Sequence, residues 1–352
     1  MSAPSASQRL RLHGALFGAA AGDALGLYTE FMDRAYARQV YGHAPRFSLL
    51  ANRTAAPPQV KQDRHRMQFP LSGWTDDRLP LDYGMTFSSV VRSLGYKRDP
   101  SGIARRKWES GGRRNAANGA VMRTSVVGAL RFADTSAAIR DAIALAQLTH
   151  ADPRCLVSCA IVSALVAHSV RGEPQRLDVE AIMQRAVREA EAQHVQLDVP
   201  TLQELQRHTA AEVTLESLQL DDSWAMGYTF KTLGAAIWAL RELLRLGVKA
   251  DSIETILTRL VMQAGDADTN ATVAGALLGA YAGVQHLPRD WLDGLRDGAW
   301  LHEKAEQLCA RLDASVAFAA TPDLQLDGGK AFLTSEQRGE RERALQARLD
   351  LL

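Results

Sequence analysis

Apolar residues recur at spacings of three and four along most of the chain, the period of a helix that buries one face. Strand-like alternation bounded by turns is nearly absent. The pattern predicts an all-α protein with helices over about 8–26, 136–149, 154–170, 178–193, 229–246, 252–263, 269–284 and 301–312. Helix ends carry matching punctuation: Asp251 stands three residues before Glu254, as in a capping box, and Gly247 follows ALRELLRL where a C-terminal glycine belongs. From Thr269 onward, Gly275, Gly279 and Gly283 fall four apart on one helical face, which lets a second backbone approach closely. Residues 43–74, with prolines and scattered charge, are predicted irregular, and 314–335 a loop before a charged tail.

Composition narrows the class. The 352 residues hold 41 Lys+Arg and 40 Asp+Glu, a formal charge of +1, with 46% hydrophobic residues. Such a chain can bury a core without staples, and a near-neutral balance gives no overall field for polyanions, so neither nucleic acid nor membrane is expected as a partner. Cys155, Cys159 and Cys309 are few and odd in number, and the first two lie one turn apart in the apolar run CLVSCAIVSALVA. They are expected to be reduced and buried, which points to an intracellular, cytoplasmic setting. GALFGAAAG after Arg9 and Arg11 has the outline of a leader, but it is short and stopped by Asp23. No stretch approaches the ~18 uninterrupted apolar residues of a membrane span.

Candidate chemistry lies in five segments. Thr75-Asp76-Asp77 and Asp266-Ala267-Asp268-Thr269 each set carboxylates beside a hydroxyl. All-oxygen donors suit a hard divalent cation, and four carboxylates would balance two such ions. Helix caps are the competing reading for either cluster taken alone. Asp23 within GDALG is a cap or a buried hydrogen-bond partner, and Glu30 follows it closely. Asn115–Arg123 is a small-residue turn whose backbone N–H groups could cradle a phosphate, or a plain turn. His150, in THADP at a helix junction, could reach a ligand or satisfy a neighbouring carbonyl.

In this order, GALFGAAAGDALGLYTEF, WTDD, NGAVMRTSVVGAL, THADPRCLVSCAIVSALV, GYTFKTLGAAIWALR and AGDADTNATVAGALLGAYAG resemble the ADP-ribosylglycohydrolase family, most closely its fungal branch, over about residues 12–312. The resemblance implies a single compact multi-helix domain over 9–313, between a flexible N-terminus (1–8) and a loop and charged tail (314–352). It further implies two Mg²⁺ ions, or Mn²⁺. Thr75, Asp76 and Asp77 would serve one ion, and Asp266, Asp268 and Thr269 the other. Glu30, Asp76 and Asp77 would be catalytic. Gly84, Asn118, Gly119, Met122, Arg123, His150 and Tyr228 would line the substrate pocket. The implied activity is hydrolysis at C1″ of ADP-ribosyl groups on a protein or small molecule, releasing ADP-ribose.

The chain departs from the family pattern after Asp77. Arg78 stands where a Thr is usual, and Pro80 forbids a helix running on from Asp77. RLPLDYGMTF matches a later loop, with Gly84 and Thr86 at its Gly and Thr places, so about two helices of the typical ~12 residues are missing near 78–80. The alternative function implied is that of a catalytically impaired ADP-ribose-binding or structural member.

Overall fold

The structure, a computed structural model, describes residues 3–50, 84–172 and 177–313, with isolated positions between 334 and 343. The chain falls into two units, 1–58 with 84–317 and 59–83 with 318–352. Every helix named here belongs to the first. Among the described residues there are fifteen α-helices, no strand, and one isolated bridge between Ala117 and Tyr228. They are α1 (Ala6–Gly26), α2 (Arg34–Tyr41), α3 (Met85–Val91), α4 (Pro100–Ser110), α5 (Val121–Leu130), α6 (Thr135–Gln147), α7 (Pro153–Arg171) and α8 (Val179–Ala192). There follow α9 (Val199–Thr209), α10 (Leu215–Leu218), α11 (Thr229–Leu246), α12 (Ala250–Val261), α13 (Ala267–Ala282), α14 (Arg289–Gly294) and α15 (Gly298–Leu312).

The eight predicted helices are all present, and the differences have local causes. Ser5 and Gln8 form a capping box that starts α1 at Ala6, so residues 6–8 are helical. Asp251 is not a cap: α12 begins one residue before it, Lys249 takes the cap position without a side-chain bond, and Asp251 sits in the first turn, where the helix dipole favours its charge. Gly283 is not part of the close helix contact made by Gly275 and Gly279: at φ +89° it caps the end of α13, and a Cβ there would meet the Gln285 side chain. Helices such as α4, where only Ala104 is buried, carry too little apolar periodicity to be recognised from sequence.

Helix α7 is apolar on all sides because it is a core helix, packed against α5, α6, α8, α11 and α13. Its length and hydropathy would suffice to cross a membrane, but 83% of that stretch is buried inside the protein. Asp152 caps its start, Pro153 follows, and Gly172 in the left-handed region closes it. Cys155 and Cys159 face this core as free thiols, and Cys309 is also buried and free.

The contact that positions the site is between α1 and α13, which run antiparallel. Gly14 lies against the Gly279 carbonyl, Gly18 against that of Gly275, and Gly22 against that of Ala271. A Cβ on any of these α1 glycines would come within 3.0 Å of the facing oxygen, a separation real side chains do not show. Glycine on α1 therefore lets two backbones touch, and the register carries Gly26, at the end of α1, onto the backbone of Asp268 in the first turn of α13.

Candidate active site

Four carboxylates lie within electrostatic reach of one another where α1 ends and α13 begins. Asp23 is buried in the last turns of α1, and Glu30 is buried in the turn that follows. That turn is stitched to the segment preceding α13. Phe31 N–H donates to Gly265 O at 2.7 Å, Gly265 N–H to Met32 O at 3.0 Å, and Thr29 Oγ1 to Val261 O at 2.5 Å. Ala264 and Gly265 are both left-handed, at φ +61° and +68°. Only glycine fits the second, since a Cβ there would strike the Leu220 carbonyl.

The competing cap reading fails for Asp266. It holds the N-cap place of α13 without a side-chain cap bond, and its Oδ2 instead accepts from Asn118 Nδ2 at 2.7 Å. Asp268 Oδ1 accepts from Thr269 N–H at 2.7 Å, while Thr272 Oγ1 lies 3.2 Å from Asp23 Oδ1 and 2.7 Å from the Asp268 carbonyl. Burial, then the charges of Asp266 and Glu30, push the Asp268 carboxyl well above the usual range. Burial likewise raises Asp23, with Glu30 and Asp266 adding to the rise and the Thr272 hydroxyl opposing it. Among the described residues no Lys or Arg forms an ion pair with Asp23, Asp266 or Asp268.

The facing wall is built from side-chain hydrogen bonds. Segment 116–118 pairs with 227–229 through Asn118 N–H to Gly227 O (2.9 Å) and Thr229 N–H to Ala116 O (3.0 Å). Asn118 is thereby fixed, and its Nδ2 reaches Thr232 Oγ1 (2.9 Å) as well as Asp266; Thr232 in turn donates to Asn270 Oδ1 at 2.7 Å. Met122 Sδ lies 4.0 Å from Thr269 Oγ1. His150 is buried, with Nδ1 2.8 Å from Thr149 Oγ1, and its Nε2 edge passes over Gly119, where a Cβ would lie 3.1 Å away. Burial, then the Arg123 charge, lowers the imidazole pKa to about 4, so the ring is neutral near pH 7.

Two residues of the implied pocket serve as supports. Arg123 turns inward, with Nε on Gly119 O (3.2 Å) and Nη2 on Thr149 Oγ1 (2.6 Å). Tyr228 packs its ring against His208 and Phe230 beneath the Arg154 guanidinium at 5.6 Å, and burial raises its phenol pKa. Gly84 precedes α3, and among the described residues nothing lies within 4 Å of where its Cβ would be; α3 meets the loop through Asn115 Nδ2 to Thr86 Oγ1 at 2.7 Å. Thr75, Asp76 and Asp77 lie outside the described residues.

The structure thus joins the segments around Glu30, Asn118 and Asp266 into one site, with His150 beside Gly119. The sequence profile of the ADP-ribosylglycohydrolase family matches residues 4–317. The chain belongs to that family. Its ADP-ribosylglycohydrolase relatives include the ADP-ribosylarginine hydrolase Tri1 of Pseudomonas putida, 23% identical over 86% of this chain and 78% of the relative. The dinitrogen reductase ADP-ribosyl glycohydrolase of Rhodospirillum rubrum is 25% identical over 84% and 92%. A solved structure described as an ADP-ribosylglycohydrolase-related protein complex aligns with a TM-score of 0.49 at 23% identity, over 88% of this chain and 98% of that one.

Several contributors were not singled out from sequence. Thr232, Asn270 and Thr272 are polar residues buried on otherwise apolar helices, and that mismatch was their only signal. Asp152 accepts a two-pronged bond from Arg154 (2.8 and 2.7 Å) and one from Trp108 Nε1 (2.8 Å), which anchors the segment carrying His150 to α4.

Proposed function

We propose that this glycohydrolase cleaves the bond at C1″ of an ADP-ribosyl group, releasing ADP-ribose from a modified protein side chain or small molecule, and that it uses divalent cations, Mg²⁺ or Mn²⁺, to do so. The observation that carries the reading is that the buried Asp23 and the half-buried Asp266 and Asp268 lie within electrostatic reach of one another and of Glu30, with no ion pair to a Lys or Arg at those three aspartates among the described residues. Buried like charges are costly unless a cation compensates them. The donor chemistry fits, since carboxylate and hydroxyl oxygens with no thiol or imidazole among them suit a hard ion. Among the described residues no three such groups stand close enough to hold an ion by themselves. The remaining donors proposed for the site, Thr75, Asp76 and Asp77, lie outside those residues.

Asp266, Asp268 and Thr269 would hold the cation on this side. When bound, it supplies compensation for the carboxylate charge and polarises water and ribose oxygens. The chain's own residues then divide the work. Bond cleavage builds oxocarbenium character on the ribose. Glu30 accepts a proton from the attacking water or fixes its direction. Asn118 holds Asp266 in one orientation, and the 118–122 turn and His150 receive the diphosphate.

The test incubates the protein with ADP-ribosylated arginine, ADP-ribosylated serine and O-acetyl-ADP-ribose, with and without Mg²⁺ or Mn²⁺. Release of ADP-ribose from at least one, only with cation, is expected. Asp268→Ala should abolish both release and the heat of cation titration. Cation binding without release from any substrate would favour the impaired binding member, and equal titration curves for wild type and Asp268→Ala would sink the cation assignment.

A further inference from the structure

Thr149, His150 and Arg123 form a chain of contacts in which one proton arrangement satisfies every buried donor. A guanidinium carries donors and no acceptor. Thr149 Oγ1 must therefore accept from Arg123 Nη2 at 2.6 Å. Thr149 is itself buried, and its hydroxyl has one other described polar neighbour, His150 Nδ1 at 2.8 Å. The oxygen could accept a second hydrogen bond, but its own buried proton would then have no described acceptor; the arrangement that satisfies that proton sends it to Nδ1, which is then bare. A neutral imidazole with a bare Nδ1 carries its proton on Nε2. Arg123 is pinned in turn by its Nε on the Gly119 carbonyl, so the residue that sets the hydroxyl's direction is tied to the glycine over which Nε2 passes.

We infer that Thr149 is a positioning residue that fixes His150 as the Nε2–H tautomer, presenting a neutral N–H donor beside Gly119 to the diphosphate of an ADP-ribosyl ligand. The ligand's identity rests on the function proposed above, whereas the tautomer rests on the contacts alone. The arrangement also explains why a buried histidine stands beside an arginine: as a neutral donor it adds no second positive charge. Glycine at 119 leaves the Nε2 edge unobstructed, since a Cβ there would lie 3.1 Å from Nε2 and 3.2 Å from Cε1.

Nitrogen NMR of histidine-labelled protein tests the tautomer. The His150 signals, one set among nine histidines, are assigned by their loss in His150→Gln. Wild type should show a bare Nδ1 and a protonated Nε2, with Thr149→Ser alike. In Thr149→Val the preference should be lost or reversed. Calorimetric titration with ADP-ribose should give about tenfold or greater weakening in Thr149→Val, the scale of a lost orienting partner, and recovery in Thr149→Ser. A wild type protonated on Nδ1, or a valine variant that keeps both tautomer and affinity, overturns the inference. If the valine variant does not fold, Thr149→Ala is read the same way, and the wild-type spectrum decides the tautomer without either. Failure of wild type to bind ADP-ribose overturns the ligand assignment together with the proposed function, while the spectrum still scores the tautomer.

Discussion

The two walls of the site are held by opposite means. The carboxylate wall is set by backbone touching backbone, with Gly14, Gly18 and Gly22 of α1 against α13. The facing wall is set by side chains bonding to one another, from Arg123 through Thr149 to His150 and from Asn118 to Asp266. Steric contact tolerates no added atom, whereas a hydrogen-bond network tolerates any replacement that keeps donor and acceptor in place. Substitutions that enlarge should therefore be most harmful on the first wall, and substitutions that swap polarity on the second.

The largest effect follows for Gly18→Val. Its Cβ would collide with a main-chain carbonyl, not the end of a flexible side chain, so α1 and α13 must part. A loss of about 3 kcal/mol or more is expected, beyond ordinary overpacking. It is measured as the denaturation midpoint without cation. A wild-type midpoint would show that the seam can open without penalty and would erase the contrast between the walls.

Acid separates the walls by sign. Burial lowers the His150 pKa to about 4, below the usual value of an imidazole, so the unfolded chain binds the extra proton first as pH falls. Stability from this group is complete above about pH 6.5 and is lost as pH drops toward 4, by an order of magnitude of about 3 kcal/mol. His150→Gln should flatten that slope. Asp23 and Asp268 act in reverse, because their raised values mean the folded state holds protons longer. Without cation their contribution is present at low pH and fades as pH rises through the folded values. Asp268→Asn should therefore stabilise the cation-free protein near pH 8 by about 1 kcal/mol. Protons and the proposed cation would compete for these oxygens, so added Mg²⁺ should raise the melting temperature of wild type more at pH 8 than at pH 6. Equal shifts at both pH values would detach the cation from these carboxylates.

The same contrast explains what could be read from sequence. Helix α11 was legible at both ends because its apolar stripe is long and Gly247 closes it, and GDADT was legible because adjacent carboxylates and a hydroxyl are a local pattern. Gly275 and Gly279 announced a close contact, although only the fold shows that their partners are Gly18 and Gly14. Asp23 was ambiguous, since a cap and a member of a carboxylate cluster look alike within GDALG. What brings it to the site is the register of two helices some 250 positions apart, and sequence spacing carries no such information. The direction of the Arg123 side chain is not legible in the loop's sequence, because it depends on Thr149, 26 residues away.

The smallest effect expected is the most diagnostic of how the second wall transmits change. Trp108→Phe keeps the ring and removes the Nε1–H that donates to Asp152 at 2.8 Å. Asp152 retains the Arg154 fork at 2.8 and 2.7 Å and the Arg154 backbone N–H at 2.9 Å. With those partners kept, the lost bond should cost about 1 kcal/mol, the low end for a charged acceptor. Because Asp152 follows His150 by two residues, ADP-ribose affinity measures whether that loss reaches the ring. If the wall is a set of independent anchors, affinity stays within about threefold, and the stability costs of Trp108→Phe and Arg154→Lys add. If it is one coupled network, Trp108→Phe weakens ADP-ribose as much as Thr149→Val, and the double variant loses less stability than the sum. That outcome would place the rigidity of the second wall in Asp152 and would make the histidine's setting depend on α4.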